Sequence, residues 1–233
     1  MNILIPMAGA GSRFAREGYN LPKPLIPVDG VPMIVRAIQT LDIEGRYHFI
    51  TRSGDYSYDT NGAINSVCID PVVIDINHVT EGAAATALLM ERYIDNDDEL
   101  IIVNCDQIMD WDVDVVLADM RRFDGAVVAI RSQDPKHSYV KINKGLATEF
   151  AEKEVISEFA LTGIHYWKHG SDFVASAEQM IADNVRSGAG EYYVAPTYNY
   201  LIKQKKRIGV TVIEDQEIHF IGTPKDLEAY ASR

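Results

Sequence analysis

Apolar runs of strand length alternate along the chain with stretches of helical period, the layout of a sheet connected by crossover helices. Asn2–Pro6, Arg46–Thr51, Val72–Asn77 and Leu100–Cys105 read as the early strands. The last of these is apolar without alternation, as a strand covered on both faces requires. Helices are expected over Met33–Leu41, Ala83–Tyr93, Val113–Arg122 and Ser171–Asn184, and further strands at Ala126–Arg131, Ser138–Ile142, Ala160–Trp167 and Ile208–Ile213. Near the end, Thr223-Pro224-Lys225-Asp226 is a helix start: Thr223 caps, Pro224 fits the first turn and Asp226 favours its dipole. No repeat, linker or low-complexity tract interrupts the pattern, so a single α/β domain is expected, with a mixed, mostly parallel sheet flanked by helices.

Composition narrows the class. The 233 residues are 47% hydrophobic and 24% charged, ordinary for a globular chain, and no apolar run approaches the ~20 residues of a membrane-spanning helix. No membrane partner is expected. The N-terminus lacks the basic start of a secretory signal, and Cys68 and Cys105 form neither a disulfide framework nor a C-x-x-C pair, so a cytoplasmic address is expected. With 34 acidic and 22 basic residues the net charge is −12, which excludes duplex nucleic acid as an expected partner. That acidity is uneven. Residues 1–36 hold Arg13, Arg16, Lys23 and Arg36 against Glu17 and Asp29, a local charge of +2 suited to an anionic ligand.

Candidate chemistry concentrates in that basic stretch. Met7-Ala8-Gly9-Ala10-Gly11-Ser12-Arg13 follows the first strand directly. Its glycines let backbone N–H groups approach a phosphate or base, and Arg13 adds a forked cation. An ordinary strand-to-loop turn is the other reading, because Phe14 stands where a dinucleotide fingerprint needs a third glycine and there is no Gly-Lys-Ser/Thr of a Walker loop. Ten residues on, Leu21-Pro22-Lys23-Pro24 places Lys23 between two prolines, which predicts a stiff extended segment with an aimed ammonium; Asp29-Gly30 then predicts a tight turn.

Gly9-x-Gly11-x-Arg13 followed by Pro22-Lys23-Pro24-Leu25-Ile26-Pro27-Val28 resembles the signature of the sugar-phosphate nucleotidyltransferases, the nucleoside-diphosphate-sugar pyrophosphorylases. Collinear matches follow at Asn104-Cys105-Asp106-Gln107, Glu152-Lys153, Leu161-Thr162-Gly163-Ile164-His165-Tyr166-Trp167, Glu191-Tyr192-Tyr193-Val194-Ala195-Pro196 and Gly222-Thr223-Pro224-Lys225-Asp226-Leu227. The resemblance implies a Rossmann-like, GT-A-like fold, with residues 1–135 mainly nucleotide-binding and 136–233 mainly acceptor-binding. It implies joining a nucleoside triphosphate, expected to be CTP, UTP or dTTP, to a phosphorylated sugar or similar small metabolite. The implied reaction releases pyrophosphate and is expected in capsule or surface-polysaccharide precursor synthesis. Arg13, Lys23 and Asp106 would be catalytic, with Asp106 holding Mg²⁺. Met7 through Arg13, Glu81, Gly82 and Cys105 would receive the nucleotide, Glu81 taking a base amino group. Ser138, Glu152, Lys153, Thr162 and Tyr193 would receive the acceptor. A homodimer is one assembly open to such a chain.

The pattern also departs from that family. Phe220 stands where many members carry a second metal carboxylate, Ser138 replaces a glycine, and Glu154 replaces the proline after Glu152-Lys153. Asp110-Trp111-Asp112 spells the Asp-x-Asp of metal-dependent glycosyltransferases, which keeps that activity as an alternative beside solvated turn residues; Phe220 keeps open a non-catalytic nucleotide sensor. His78, His137, His165, His169 and His219 are not spaced as a metal cluster and read as ordinary surface or core. Tyr192 and Tyr193 read as pocket or core.

Overall fold

The computed structural model describes residues 1–52, 59–187 and 190–233. The N-terminal half runs β1 (Asn2–Pro6), α1 (Ser12–Arg16), a 3-10 turn at Lys23–Leu25, β2 (Pro27–Val28), β3 (Val31–Pro32), α2 (Met33–Leu41), β4 (Arg46–Arg52), α3 (Thr60–Asn65), β5 (Val72–Ile76), α4 (Ala83–Leu88) and α5 (Glu91–Ile94). It continues through β6 (Leu100–Val103), β7 (Gln107–Met109), α6 (Val113–Met120) and β8 (Gly125–Arg131). The remainder comprises β9 (Ser138–Asn143), β10 (Leu146–Glu152), β11 (Phe159–Trp167), α7 (Gly170–Ala182), α8 (Tyr198–Lys203), β12 (Ile208–Val212), β13 (Ile218–Phe220) and α9 (Pro224–Ala231).

Among the described residues nine strands form the central sheet, in the order β10-β9-β11-β6-β1-β4-β5, with β8 on the other edge of β11 and β12 outside β8. Ala160 shows the branching: it pairs with Ile130 of β8 on one side and Tyr139 of β9 on the other, while Tyr166 faces Ala126 of β8 and Ile101 of β6. Following the ladders, only β10 and β11 run against the other strands, so the sheet is mixed and mostly parallel as expected.

Both faces of the sheet are covered, which is why β1 and β6 are uniformly apolar. Ile3, Ile5, Ile101 and Val103 pack with Ile34, Val35 and Ile38 of α2 and with Val116, Leu117 and Met120 of α6. Their alternates Leu4, Leu100 and Ile102 pack on the opposite face with Ala84 and Ala87 of α4, Phe173, Ala177 and Met180 of α7, and Tyr198 and Leu201 of α8. Burial of a side chain of that size stabilises by ~1.5–3 kcal/mol, so the two-sided core outweighs local propensity in setting these elements.

Three departures from the expected elements have local causes. The helix expected over 83–93 is divided, because Leu89 and Met90 donate to Thr86 and Ala87 in tightened turns before α5 begins. The prolines around Lys23 make a 3-10 turn in place of an extended segment: Leu25 N donates to Pro22 O at 2.8 Å and Ile26 N to Lys23 O at 3.2 Å. β10, absent from the sequence reading, is the return strand of a hairpin turned at Lys144-Gly145, whose φ values are 51° and 78°. The Asp29-Gly30 turn joins β2 to β3 as expected.

Candidate functional site

Parallel pairing of β1 with β6, Ile3 opposite Ile101, brings the ends of both strands to one edge of the sheet. Ligands of open α/β folds collect at that edge. The loop after β1 supplies residues 7–13, and the loop after β6 supplies Asn104, Cys105 and Asp106. β11 crosses the same place with Gly163 at φ +86°, where a Cβ would stand 2.1 Å from Asn104 Nδ2; only glycine fits there.

Lys23 and Asp106, 83 positions apart, meet in this edge with Nζ 2.5 Å from Oδ2. Both side chains are largely buried, at 22% and 23% exposure. The ammonium is positioned from beneath: Gly11, in the left-handed region at φ +59°, lies so close that its Cβ would stand 3.2 Å from Lys23 Cβ. The carboxylate backs onto Gly222, where a Cβ would stand 2.4 Å from Oδ2, and Ile221 N donates to Asp106 O at 2.9 Å. Burial alone would push the Lys23 ammonium down, but the Asp106 carboxylate more than offsets it, so Lys23 is held above the usual lysine value and stays charged.

Two adjoining cavities open at this pair. The first, about 470 Å³, is lined by Met7, Gly9, Gly11, Ser12, Arg13, Lys23, Cys105 and Glu191. The second, about 310 Å³, is lined by Ser138, Glu152, Thr162, His165, Lys136, His137 and Phe220, with Ala83 and Ala195. Arg13, Asn104, Asp106, Lys153, Tyr193 and Gly222 line both, so they form the wall between them. Arg13 makes no salt bridge among the described residues, which leaves its guanidinium available to an anion. Buried Cys105 has its thiol pushed up to about 11, chiefly by burial, so it lines the first cavity as a neutral group.

The second cavity is internally organised. Ser138 Oγ donates to the Glu152 carboxylate, and Lys153 Nζ donates to Tyr193 Oη at 2.6 Å while lying 4.6 Å from that ring's centroid. Lys153 adopts φ +56°, strained for a non-glycine residue, with its N–H donating to His137 O at 3.1 Å. Burial raises the Glu152 carboxyl, opposed by the Ser138 hydrogen bond and the Lys153 charge. Burial likewise raises the Tyr193 hydroxyl. Thr162 Oγ1 donates to Val128 O at 3.1 Å.

Four expected nucleotide residues lie elsewhere. Glu81 meets Arg186 in a salt bridge, and its carboxylate lines neither cavity. Gly82 owes its identity to packing: at φ +128° a Cβ would stand 2.4 Å from Tyr192 O. Ala8 is buried and accepts from Arg52 Nε at 3.1 Å, whereas Ala10 lines a separate small recess with Thr51, Arg52 and Thr60. Asp112 caps α6 by accepting from Val115 N at 3.2 Å, and Asp110 lies in an outer hollow with His219 and Arg233. Neither acid of the Asp-x-Asp sequence reaches the two cavities.

Sequence reasoning missed Asn104, Lys136, His137, His165 and Gly222 as cavity residues. Asn104 and His137 adjoin singled-out positions, and His165 and Gly222 belong to matched motifs, so proximity was a usable signal. Phe220 lines the second cavity, with the His137 ring tilted against it at 5.0 Å between centroids and Lys136 Nζ 5.9 Å from the Phe220 centroid. Among the described residues no three His, Cys, Asp or Glu side chains converge as a metal site. Asp106 alone can hold Mg²⁺ only if phosphate oxygens and water complete the shell, a coordination that this ion commonly accepts.

No protein-family model and no curated protein matches the sequence. Solved structures do match in fold. A nucleoside-diphosphate-sugar pyrophosphorylase from Vibrio cholerae RC9 superposes with TM-score 0.84 at 22% identity, covering 99% of this chain and 100% of that one. A putative glucose-1-phosphate thymidylyltransferase from Bacillus anthracis gives 0.74 at 21% identity over 100% and 94%. The inositol-1-phosphate CTP transferase from T. maritima gives 0.76 at 15% over 99% and 93%. The chain therefore has the Rossmann-like fold of the nucleotidyltransferases, along its whole length.

Proposed function

We propose that this protein is a nucleotidyltransferase that joins a nucleoside triphosphate to a phosphorylated sugar or similar small phosphorylated metabolite and releases pyrophosphate. One observation carries the reading: two cavities, one built on the glycine loop and one on Glu152 and Lys153, share a wall of Arg13, Asp106 and Lys153. Two anions bound on either side would meet at that wall. The nucleotide belongs in the first cavity and the acceptor in the second, which assigns residues 1–135 mainly to the one and 136–233 mainly to the other.

In the reaction, an acceptor phosphate oxygen attacks the α-phosphorus in line, the new P–O bond forms, and the bond to the β-phosphate bridging oxygen breaks. No protein nucleophile is needed; catalysis is positioning and charge neutralisation. Two unit charges 4 Å apart repel by ~4 kcal/mol at an effective dielectric of ~20, which is the scale of the problem the cations solve. Arg13 neutralises the triphosphate and departing pyrophosphate, Lys23 the α-phosphate, and Lys153 the acceptor phosphate. Magnesium, held by Asp106, would supply further Lewis-acid charge to phosphate oxygens. A pyrimidine triphosphate is the proposed donor, supported by the thymidylyltransferase and CTP transferase names of two structural neighbours. We further place the activity in cytoplasmic synthesis of surface-polysaccharide precursors; no helix among the described residues is long and apolar enough to cross a membrane.

The test measures pyrophosphate release from CTP, UTP or dTTP with glucose 1-phosphate or inositol 1-phosphate. Wild-type protein releases it with at least one pair, and Lys23→Met and Asp106→Asn each lose ~10²–10³-fold in turnover. Absence of release with every pair would sink the proposal. Phe220 favours a second reading, a nucleotide sensor; triphosphate binding without pyrophosphate release is its signature.

A further inference from the structure

Beyond α7 the chain doubles back and returns to the wall between the two cavities. Ser187 N donates to Glu191 O at 3.1 Å and Glu191 N to Ser187 O at 3.3 Å. The returning segment is then zipped to the turn before α4: Tyr192 N donates to Glu81 O at 2.8 Å and Ala84 N to Tyr192 O at 2.9 Å. The next residue, Tyr193, lines both cavities and accepts from Lys153 Nζ at 2.6 Å. One side chain ties these pieces together from outside. Arg186 Nε donates to Asn184 Oδ1 at 2.8 Å, Nη1 to Gly190 O at 2.9 Å and Nη2 to the Glu81 carboxylate. Its guanidinium carbon also lies 4.1 Å from the centroid of the Tyr192 ring, and Tyr192 Oη donates to the same Asn184 oxygen at 2.8 Å. Arg186 lines neither cavity. An exposed ion pair such as Arg186 with Glu81 contributes little to global stability. A planar fork that reaches three separate acceptors does something else: it fixes the relative positions of the segments that supply them.

We propose that Arg186 is a positioning residue: by clamping the returning segment to the turn before α4 it sets Tyr193, and through Tyr193 the Lys153 ammonium. This rests on the proposed transferase reading, in which Lys153 neutralises the acceptor phosphate. Arg186 holds the chain at Gly190 and Tyr192, so Tyr193 is the first residue beyond the clamp. Lys153 makes no salt bridge among the described residues, which leaves the Tyr193 hydroxyl and the ring 4.6 Å away as the support of its Nζ. Loosening the clamp frees that support to shift, and a cation displaced by a fraction of an ångström no longer meets a phosphate held by the rest of the wall.

The experiment is a double-mutant cycle on pyrophosphate release, comparing wild type, Arg186→Ala, Tyr193→Ala and the combined variant with the triphosphate and acceptor pair that the wild type uses best. Circular dichroism and urea unfolding check each fold, and Arg186→Gln or Tyr193→Phe replaces a variant that fails. Arg186→Ala is expected to raise the acceptor KM about tenfold while the triphosphate KM stays within about threefold. With Tyr193 already removed, the same change should move the acceptor KM by no more than about twofold, because nothing is left to position. A merely structural role would act equally in both backgrounds. Arg186→Lys keeps the charge without the fork, so it should stay within about threefold of Arg186→Ala. Equal effects in the two backgrounds, no effect, or full rescue by lysine overturns the assignment of Arg186 and leaves the transferase reading standing. If the wild type releases no pyrophosphate with any pair, the transferase reading fails, and the inference with it.

Discussion

Buried neutral histidines make the fold acid-sensitive, and His48 isolates the effect away from the site. It lies on β4, fully buried, with Nε2 3.0 Å from Asn2 Oδ1, and burial, aided by Arg46, lowers its protonation to about 4. The unfolded chain protonates this ring near 6.5, so above that pH neither state carries the proton and the contribution to stability is complete. Below it the unfolded state gains a proton that the folded state refuses, and stability falls by ~1.4 kcal/mol per pH unit until the folded ring also titrates. From pH 7.5 to 4.5 the loss attributable to His48 is therefore ~3 kcal/mol, a large part of the ~5–15 kcal/mol that holds a typical domain folded. The assay is urea unfolding followed by tryptophan fluorescence, at one-unit steps over that range, for wild type and His48→Gln. Because the acidic groups titrate in both proteins, their contributions cancel in the difference. The wild-type advantage at pH 7.5 should shrink by ~3 kcal/mol by pH 4.5. A difference that stays constant across the range would refute suppressed protonation of His48. His165, suppressed further, adds a loss of the same sign.

Three substitutions probe the geometry directly. Gly222→Ala puts a Cβ 2.4 Å from Asp106 Oδ2, so it should displace the carboxylate from Lys23 and reduce pyrophosphate release at least tenfold; unchanged release would show that the pair tolerates displacement. Gly82→Ala forces a side chain into the Tyr192 backbone at φ +128° and should cost at least ~2 kcal/mol in urea unfolding; retention of full stability would contradict this packing. Asp112→Ala removes the α6 cap and should cost ~1 kcal/mol of stability while leaving pyrophosphate release within twofold; a large loss of activity would return the Asp-x-Asp sequence to consideration.

Much of the architecture was legible because the relevant forces are local. Two-sided burial shows in the unbroken apolar runs of β1 and β6, and the capping geometry of α9 follows from Thr223 and Pro224; Thr223 Oγ1 accepts from Asp226 N at 3.1 Å. The glycine loop and Lys23 were legible as residue types suited to phosphate, and Asp106 as one suited to a metal ion. Their union was not, since a contact across 83 positions depends on β1 and β6 pairing in parallel. Glu81 shows the converse: a plausible base contact by position in the chain is claimed in the fold by Arg186.

From its residues alone this chain declares an α/β sheet, a basic enclave in an acidic protein and a set of phosphate-suited side chains, because periodicity, proline, glycine and charge act over a few positions. Tertiary structure decides which of those side chains share a wall, which glycines exist to make room for Asp106 and Tyr192, and which buried polar groups line a cavity. Those outcomes depend on distances between segments far apart in the chain, and on burial, which alters a histidine's chemistry without altering its sequence context. His165 is the clearest case: in the sequence it is one residue of a matched strand motif, and in the fold it is a buried ring, kept neutral, that lines a cavity.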